Sequence, residues 1–497
     1  MFAKGSGGRA WAPPPGDEVG SHEQYGAIAE NAFVTVADDP RSTFSIDVDT
    51  ASYSNMRRFL QDQQLPPADA VRIEELVNYF DYDYAAPEGR DPFSMTHEVS
   101  SCPWNDEHLL VHVGLQGKVI DAGEVPARNL VFLLDVSGSM NSPDKLPLLT
   151  RGLGMLVDGV RKQDRVAIVV YAGASGVVLE PTSDKAEIRA ALERLSAGGS
   201  TNGGAGIELA YRLAERNLIE GGINRVILAT DGDFNVGTTS QSALVELIER
   251  KRASGVFLSV LGFGTGNLKD ETMEKLADKG NGNYAYIDSI AEARKVLVEE
   301  GGSTLVTIAK DVKIQVEFNP KEVASYRLIG YENRKLAHTD FNDDSKDAGE
   351  IGAGHSVTAL YEVVPVGSGR SGVDPLKYQD NAPSLSPAAD TGELMTVKIR
   401  YKQPEGDKSD LLSFAVTSED RSLDRSSDDF RFAAAVAEFG LILRNSEHRG
   451  DASFDEVLTL ARKSLGRDGE GHRAEFVRLV ELAQRLSRGE FAVARAE

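Results

Sequence analysis

The sequence has a single cysteine, Cys102, among its 497 residues, which excludes a disulfide bond within the chain. It also has no window that approaches about 18 consecutive apolar residues, so it predicts no transmembrane helix. The N-terminus lacks the apolar segment of a signal peptide. We therefore expect either a cytoplasmic protein or a chain that follows a removed targeting segment.

Basic residues are in deficit, with 54 Lys and Arg against 77 Asp and Glu and a formal net charge of −23. Such a chain repels nucleic acid and anionic membrane surfaces, so neither is an expected partner. No P-loop motif is present, and the glycines after Gly262 lack dinucleotide-binding spacing. None of the eight histidines lies between His112 and His338, so the middle of the chain lacks a catalytic base other than carboxylate.

Composition and apolar periodicity divide the chain into five regions, and they predict secondary structure for all but the first. The predicted regions are a disordered tail over 1–40, an N-terminal flank over 41–125, an α/β domain over 126–302, a β-rich region over 303–420 and a helical region over 421–497. The α/β domain alternates strand and helix, which predicts a doubly wound, mostly parallel sheet. We expect it to be inserted into a β-sandwich whose strands come from both flanks, because two N-terminal strands alone make only a marginal hairpin.

The centre of the α/β domain is the apolar run from Leu130 to Leu134, which is typical of a strand buried on both faces. It ends at Asp135, and Ser137 and Ser139 follow at once. Two later loops at the same edge of the predicted sheet carry Thr201 and Asp231. Ligands bind at the carboxyl ends of the strands in open α/β sheets, so these five side chains should meet at one edge.

These side chains offer two carboxylates and three hydroxyls, which are hard oxygen ligands suited to Mg²⁺, Mn²⁺ or Ca²⁺ and not to zinc. A divalent cation would remove the repulsion between the two carboxylates. Five side chains leave at least one of about six positions open for an incoming carboxylate. We expect replacement of Asp135 by Ala to abolish metal binding and to leave the fold intact, because the residue should lie at a solvent edge.

Residues 128–300 resemble a von Willebrand factor type A (VWA) domain. Asp135, Ser137, Ser139, Thr201 and Asp231 match the metal-ion-dependent adhesion site of that family position by position. The resemblance implies Mg²⁺ or Mn²⁺ binding that is completed by an Asp or Glu of a protein partner. The flanking stretches 44–53 and 326–334 resemble bacterial YfbK-like VWA proteins, many of which carry a lipoprotein signal or membrane anchor. That likeness favours the cell envelope over the cytoplasm.

Three functional hypotheses remain open. The first is a metal-dependent binding module for a protein ligand, and the second is a scaffold that acts through its flanks with an idle metal site. The third is a metal-assisted hydrolase, which the missing histidine disfavours. Asp47 and Asp49 follow a strand and resemble the nucleophile motif of haloacid-dehalogenase-type phosphatases. The downstream residues of that family are missing, so we expect Asp49 or Thr50 to cap a helix instead.

Overall fold

The computed structural model describes residues 23–46, 49–121, 123–200, 203–232, 241–266, 268–301, 306–346, 348–368, 385–417 and 422–490. Three parts share this chain: an α/β domain in the middle, a β-sandwich and a helical layer. Strands and helices from both sides of the α/β domain build the sandwich and the layer.

Within its described residues, the N-terminal flank supplies four strands and two α-helices before the α/β domain begins. They are β1 (Val34–Thr35), β2 (Arg41–Ser45), α1 (Ala51–Gln61), α2 (Ile73–Val77), β3 (Phe93–Cys102) and β4 (Asn105–Gly117). Helix α2 covers only the middle of the stretch from 71 to 80 that the apolar spacing predicts as helical.

The α/β domain alternates strand and helix as the sequence predicts. Its elements are β5 (Arg128–Asp135), α3 (Leu146–Asp158), β6 (Arg165–Tyr171), β7 (Ser175–Thr182), α4 (Lys185–Glu193), α5 (Gly203–Arg216), β8 (Ile223–Thr230), α6 (Gln241–Arg252), β9 (Phe257–Phe263), α7 (Asp270–Lys279), β10 (Tyr284–Ile287) and α8 (Ile290–Arg294). The sheet order is β10-β9-β8-β5-β6-β7, and only the edge strand β7 is antiparallel to its neighbour. Helices α5, α6 and α7 cover one face, and α3, α4 and α8 cover the other. This is the predicted doubly wound sheet.

In the part of the chain that the structure describes, six strands follow the α/β domain and three α-helices come after them. They are β11 (Thr307–Phe318), β12 (Val323–Ile329), β13 (Gly349–Gly352), β14 (Ser356–Pro365), β15 (Glu393–Lys402), β16 (Ser409–Thr417), α9 (Asp428–Arg444), α10 (Phe454–Lys463) and α11 (His472–Ser487).

Two antiparallel sheets form the sandwich, and each mixes strands from both flanks. One sheet has the order β1-β12-β14-β4-β3, and the other has the order β13-β11-β15-β16 with β2 paired to β11. Apolar side chains of both sheets meet in one core, for example Val111 and Val113 of β4 with Ile314 and Val316 of β11. The prediction of a composite sandwich with an inserted α/β domain is confirmed.

The predicted disordered tail is wrong for residues 23–40, and residues 1–22 lie outside the described residues. Val34 and Thr35 pair with Tyr326 and Ser325 of β12. The buried Asn31 amide donates to the carbonyl oxygens of Leu328 (3.0 Å) and Gly330 (2.8 Å). The composition of the first residues does not indicate this short strand, because the strand that it pairs with, β12, lies almost three hundred residues later in the chain.

Candidate functional site

The first loop of the site follows β5, the strand between β6 and β8 in the sheet. The Asp135 carboxylate accepts the Ser137 backbone N–H at 2.8 Å, which fixes the turn out of the strand. The Ser137 and Ser139 hydroxyl oxygens lie 2.9 Å apart. Ser137 is buried and Ser139 is exposed, so the loop brings one hydroxyl to the protein surface.

A second loop, residues 198–200, is held against the first by two backbone hydrogen bonds. The Gly198 N–H donates to the Val136 carbonyl at 2.7 Å, and the Gly138 N–H donates to the Gly199 carbonyl at 3.0 Å. Gly199 has a φ of +89°, a conformation that glycine adopts without strain. Thr201, the predicted ligand after this loop, lies outside the described residues.

The third loop follows β8 and carries Asp231, which is 1% exposed. The preceding Thr230 hydroxyl donates to the Asp135 carboxylate at 3.3 Å, and the Tyr171 hydroxyl donates to the same oxygen at 3.0 Å. Burial raises the pKa of Asp135 above its ordinary value, and the charge of the nearby Asp231 raises it further. The structure thus brings together four of the five predicted side chains: Asp135, Ser137, Ser139 and Asp231.

Asp135 is fully buried, so the expectation that it lies at a solvent edge is wrong. The reason is that Tyr171 and Thr230, from the two neighbouring strands, cover its carboxylate. Replacement by Ala would remove an acceptor for three donors and not only a metal ligand.

Lys145 is a further residue of this site that the sequence analysis does not identify as such. Its ammonium donates to the Asp231 carboxylate at 2.9 Å, and the side chains of both residues are buried. The contact joins residues 86 positions apart, so no local spacing indicates it. The signal available was weak: it is a lone lysine between the serine loop and the apolar stripe of α3.

The residues present fit a hard divalent cation. Two carboxylates and two hydroxyls lie at adjoining strand ends, and the charge of Lys145 offsets that of one of the two buried carboxylates. Within the described ranges, no group of three or more His, Cys, Asp or Glu side chains could hold a metal ion. A metal at this edge would therefore depend on hydroxyl oxygens as well as the two carboxylates, which excludes a zinc-type donor set.

Asp49, one of the two aspartates of the phosphatase-like motif, makes contacts that stabilise the fold. Its buried carboxylate accepts the Tyr284 backbone N–H at 2.7 Å and the Arg334 guanidinium at 3.4 Å. It therefore ties the flank to β10. Thr50 occupies the N-cap position of α1, one of the two positions predicted, but its side chain makes no capping hydrogen bond. Asp47 lies outside the described residues.

Comparison with known protein families establishes the class to which this chain belongs. Residues 129–299 match the von Willebrand factor type A domain, and residues 19–112 match a family described as von Willebrand factor. The chain is a VWA domain protein, and such domains often mediate protein interactions. Residues 303–486 match the C-terminal region of protein YfbK. Escherichia coli (strain K12) YfbK is 46% identical over 470 residues, which cover 93% of this chain and 81% of that protein. The chain belongs to the YfbK family.

Other relatives and solved structures share less of the sequence with this chain. Inter-alpha-trypsin inhibitor heavy chain H3 of Mesocricetus auratus is 25% identical over 48% of this chain and 29% of its own length. A solved von Willebrand factor type A structure from Catenulispora acidiphila is 18% identical, with a TM-score of 0.42, over 81% of this chain and 91% of that one. BatB from Bacteroides thetaiotaomicron is 24% identical, with a TM-score of 0.31, over 35% of this chain and 98% of that one.

None of the helices in the described residues is long and apolar enough to cross a bilayer.

Proposed function

We propose that the chain is a protein-binding module whose site at Asp135, Ser137, Ser139, Thr201 and Asp231 holds Mg²⁺, Mn²⁺ or Ca²⁺. The ion would supply an open coordination position for an Asp or Glu carboxylate of a protein partner. One observation carries the proposal: two buried carboxylates from neighbouring strands lie beside a hydroxyl that reaches the surface.

The electrostatics of the buried pair support a cation at this place. The Asp135 carboxylate accepts three hydrogen bonds, and its pKa is nevertheless raised. The hydrogen bonds to Asp135 therefore lower its pKa by less than burial and the charge of Asp231 raise it. A cation bound by both residues would favour the ionised form of each. The exposure of Ser139 leaves that position within reach of a partner's side chain.

The proposal is for binding and not for catalysis. The chain has no histidine from residue 113 to residue 337, so a metal-bound water at this site would have no imidazole base from the α/β domain. The one thiol, Cys102, lies in β3 far from the site in the fold, and burial raises its pKa well above the ordinary value. A raised pKa disfavours the thiolate that a nucleophile requires.

Asp135→Asn is the variant that tests this function, because the amide keeps the size of the side chain and an acceptor oxygen while removing the charge. We expect it to lose Mg²⁺ and Mn²⁺ binding measured by titration calorimetry, with the unfolding midpoint in EDTA close to that of the parent protein. Asp158→Ala, an exposed carboxylate of the same domain paired with Arg189, is the matched control and should bind metal normally.

The partner is tested by capture from the native cell extract with the parent protein, with and without EDTA, and with Asp135→Asn. A partner retained only by the parent protein with metal supports the proposal. Equal metal affinity in the parent protein and Asp135→Asn would contradict it. Equal capture in all three conditions would instead favour a scaffold with an idle metal site.

A further inference from the structure

Lys145 lies in the loop that joins the serine pair to α3, and its side chain turns back to the site. The ammonium nitrogen lies 2.9 Å from an oxygen of Asp231, and the exposed fractions are 9% for the lysine side chain and 0% for the aspartate. The Lys145 carbonyl accepts the Leu149 N–H at 2.8 Å, so its backbone is fixed by the first turn of the helix.

The aliphatic part of Lys145 is packed against Gly264, the residue after β9. Gly264 has a φ of +73°, and a Cβ built there would lie 2.2 Å from Cε and 2.4 Å from Cγ of the lysine. The Tyr286 hydroxyl donates to the Gly264 carbonyl at 2.9 Å and fixes this glycine in place. Only glycine at position 264 leaves room for the Lys145 side chain. The position of this lysine therefore follows from packing as well as from charge.

We propose that Lys145 is a tethered cation that neutralises Asp231 and opposes a divalent ion at the same site. The inference rests on the proposed function. Without an ion, the two carboxylates carry a charge of −2 and the lysine reduces it to −1. With a divalent ion and the lysine both present, the charge is +1. A partner's carboxylate removes that surplus, so metal and acidic partner should each strengthen the binding of the other.

The test measures Mg²⁺ affinity of the full chain by titration calorimetry at fixed ionic strength. Lys145→Met keeps the length and apolar character of the side chain and removes the charge. We expect it to bind Mg²⁺ roughly tenfold more tightly or better, since unit charges a few ångströms apart interact strongly in a buried site. Lys185→Met is the matched control: it removes one lysine of the same domain, whose ammonium donates to the Asp158 carbonyl, and it should bind like the parent protein.

A second variant, Gly264→Ala, leaves the charge of the chain unchanged and displaces the lysine stem. We expect it also to raise Mg²⁺ affinity.

The unfolding midpoint gives an independent readout that needs no partner. In EDTA, Lys145→Met should be less stable than the parent protein, because Asp231 then loses the ammonium group that lies 2.9 Å from its carboxylate. Mg²⁺ should raise its midpoint by more degrees than it raises that of the parent protein.

The outcomes separate this inference from the proposed function. Equal or weaker Mg²⁺ binding by a folded Lys145→Met, with normal binding by the parent protein, overturns the inference and leaves the function standing. Binding by Lys145→Met alone supports the inference in its strongest form, a site that the lysine keeps closed. Absence of binding by both proteins, each folded, overturns both.

Discussion

Glu438 shows how one carboxyl group behaves when a helix is buried on every side. It lies in the middle of α9, and its side chain is fully buried. One oxygen accepts the Ser453 backbone N–H at 3.0 Å, and the other has no hydrogen-bond partner among the described residues. Burial raises the pKa of Glu438 to about 8. At neutral pH this residue is therefore a neutral carboxylic acid.

The raised pKa of Glu438 predicts the sign of a pH effect on stability. The folded state holds the proton more tightly than the unfolded state, whose pKa lies near the ordinary glutamic acid value of 4.5. The stabilising contribution is fully present below about pH 4.5 and is lost as pH rises through 8. Glu438→Gln should remove this dependence, so its free energy of unfolding relative to the parent protein should rise by roughly 3 kcal/mol from pH 6 to pH 9.

Urea unfolding at pH 6 and pH 9 measures this difference. Glu481→Gln is the control, because this glutamate lies on the exposed surface of α11 and pairs there with Arg462. The control should change little between the two pH values. A constant stability difference between Glu438→Gln and the parent protein would contradict the assignment of a neutral acid.

At the scale of elements, α1 joins the α/β domain to the helical layer through Arg57. This arginine is 2% exposed and binds Asp288 with two nitrogens, at 2.7 and 2.5 Å. It also donates to Glu292 of α8 at 2.7 Å and to Glu475 of α11 at 3.1 Å. The α/β domain is thus fixed to the flanking helices by buried charge as well as by apolar contact.

Arg57→Met should lower the free energy of unfolding by about 3–5 kcal/mol, the usual effect of leaving buried carboxylates without their counter-charge. Chemical denaturation at pH 7 measures it. Arg189→Met breaks an ion pair whose two side chains are 45% and 74% exposed, and it should change stability by about 1 kcal/mol or less. Similar effects for the two variants would show that the Arg57 cluster does not hold the parts together.

The elements also show which features the sequence predicts and which it does not. Apolar spacing predicts a helix from 145 to 161 and the strand before Asp135, because both patterns are local, and the structure has α3 and β5 there. The strand predicted over 177–179 extends over Ser175–Thr182, since pairing with β6 and not its own apolar residues defines its length. The Lys145–Asp231 pair depends on contacts that folding creates between distant residues.

For the whole molecule, the insertion of the α/β domain is physically simple because its two attachment points are close together. Gly117 at the end of β4 donates its N–H to the His355 carbonyl at 2.8 Å. A Cβ built on Gly117 would lie 2.9 Å from the side chain of Ile308, near the start of β11. The chain therefore leaves the sandwich and returns to it at nearly one point, and the sandwich does not depend on the α/β domain for its strand order.

Three separately expressed chains test this organisation. Residues 125–302 should fold alone, because both apolar cores of the α/β domain lie almost entirely within them. Residues 301–497 should not fold, because β14 would lack β4 and β11 would lack β2. The C-terminal helices would also lose their apolar contacts with the N-terminal flank, among them Tyr53, Met56 and Phe80.

Residues 23–121 joined to 306–490 through about eight Gly and Ser residues should fold again, because such a linker has a mean span of roughly 15 Å and the two ends are adjacent. Circular dichroism during heating and size-exclusion chromatography distinguish the cases: we expect a cooperative transition and a monomer for the first and third chains and neither for the second. A monomeric 301–497 with a cooperative transition would contradict the composite sandwich. An unfolded joined chain beside a folded α/β domain would show instead that the flanking parts need the inserted domain, through ion pairs such as those of Arg57.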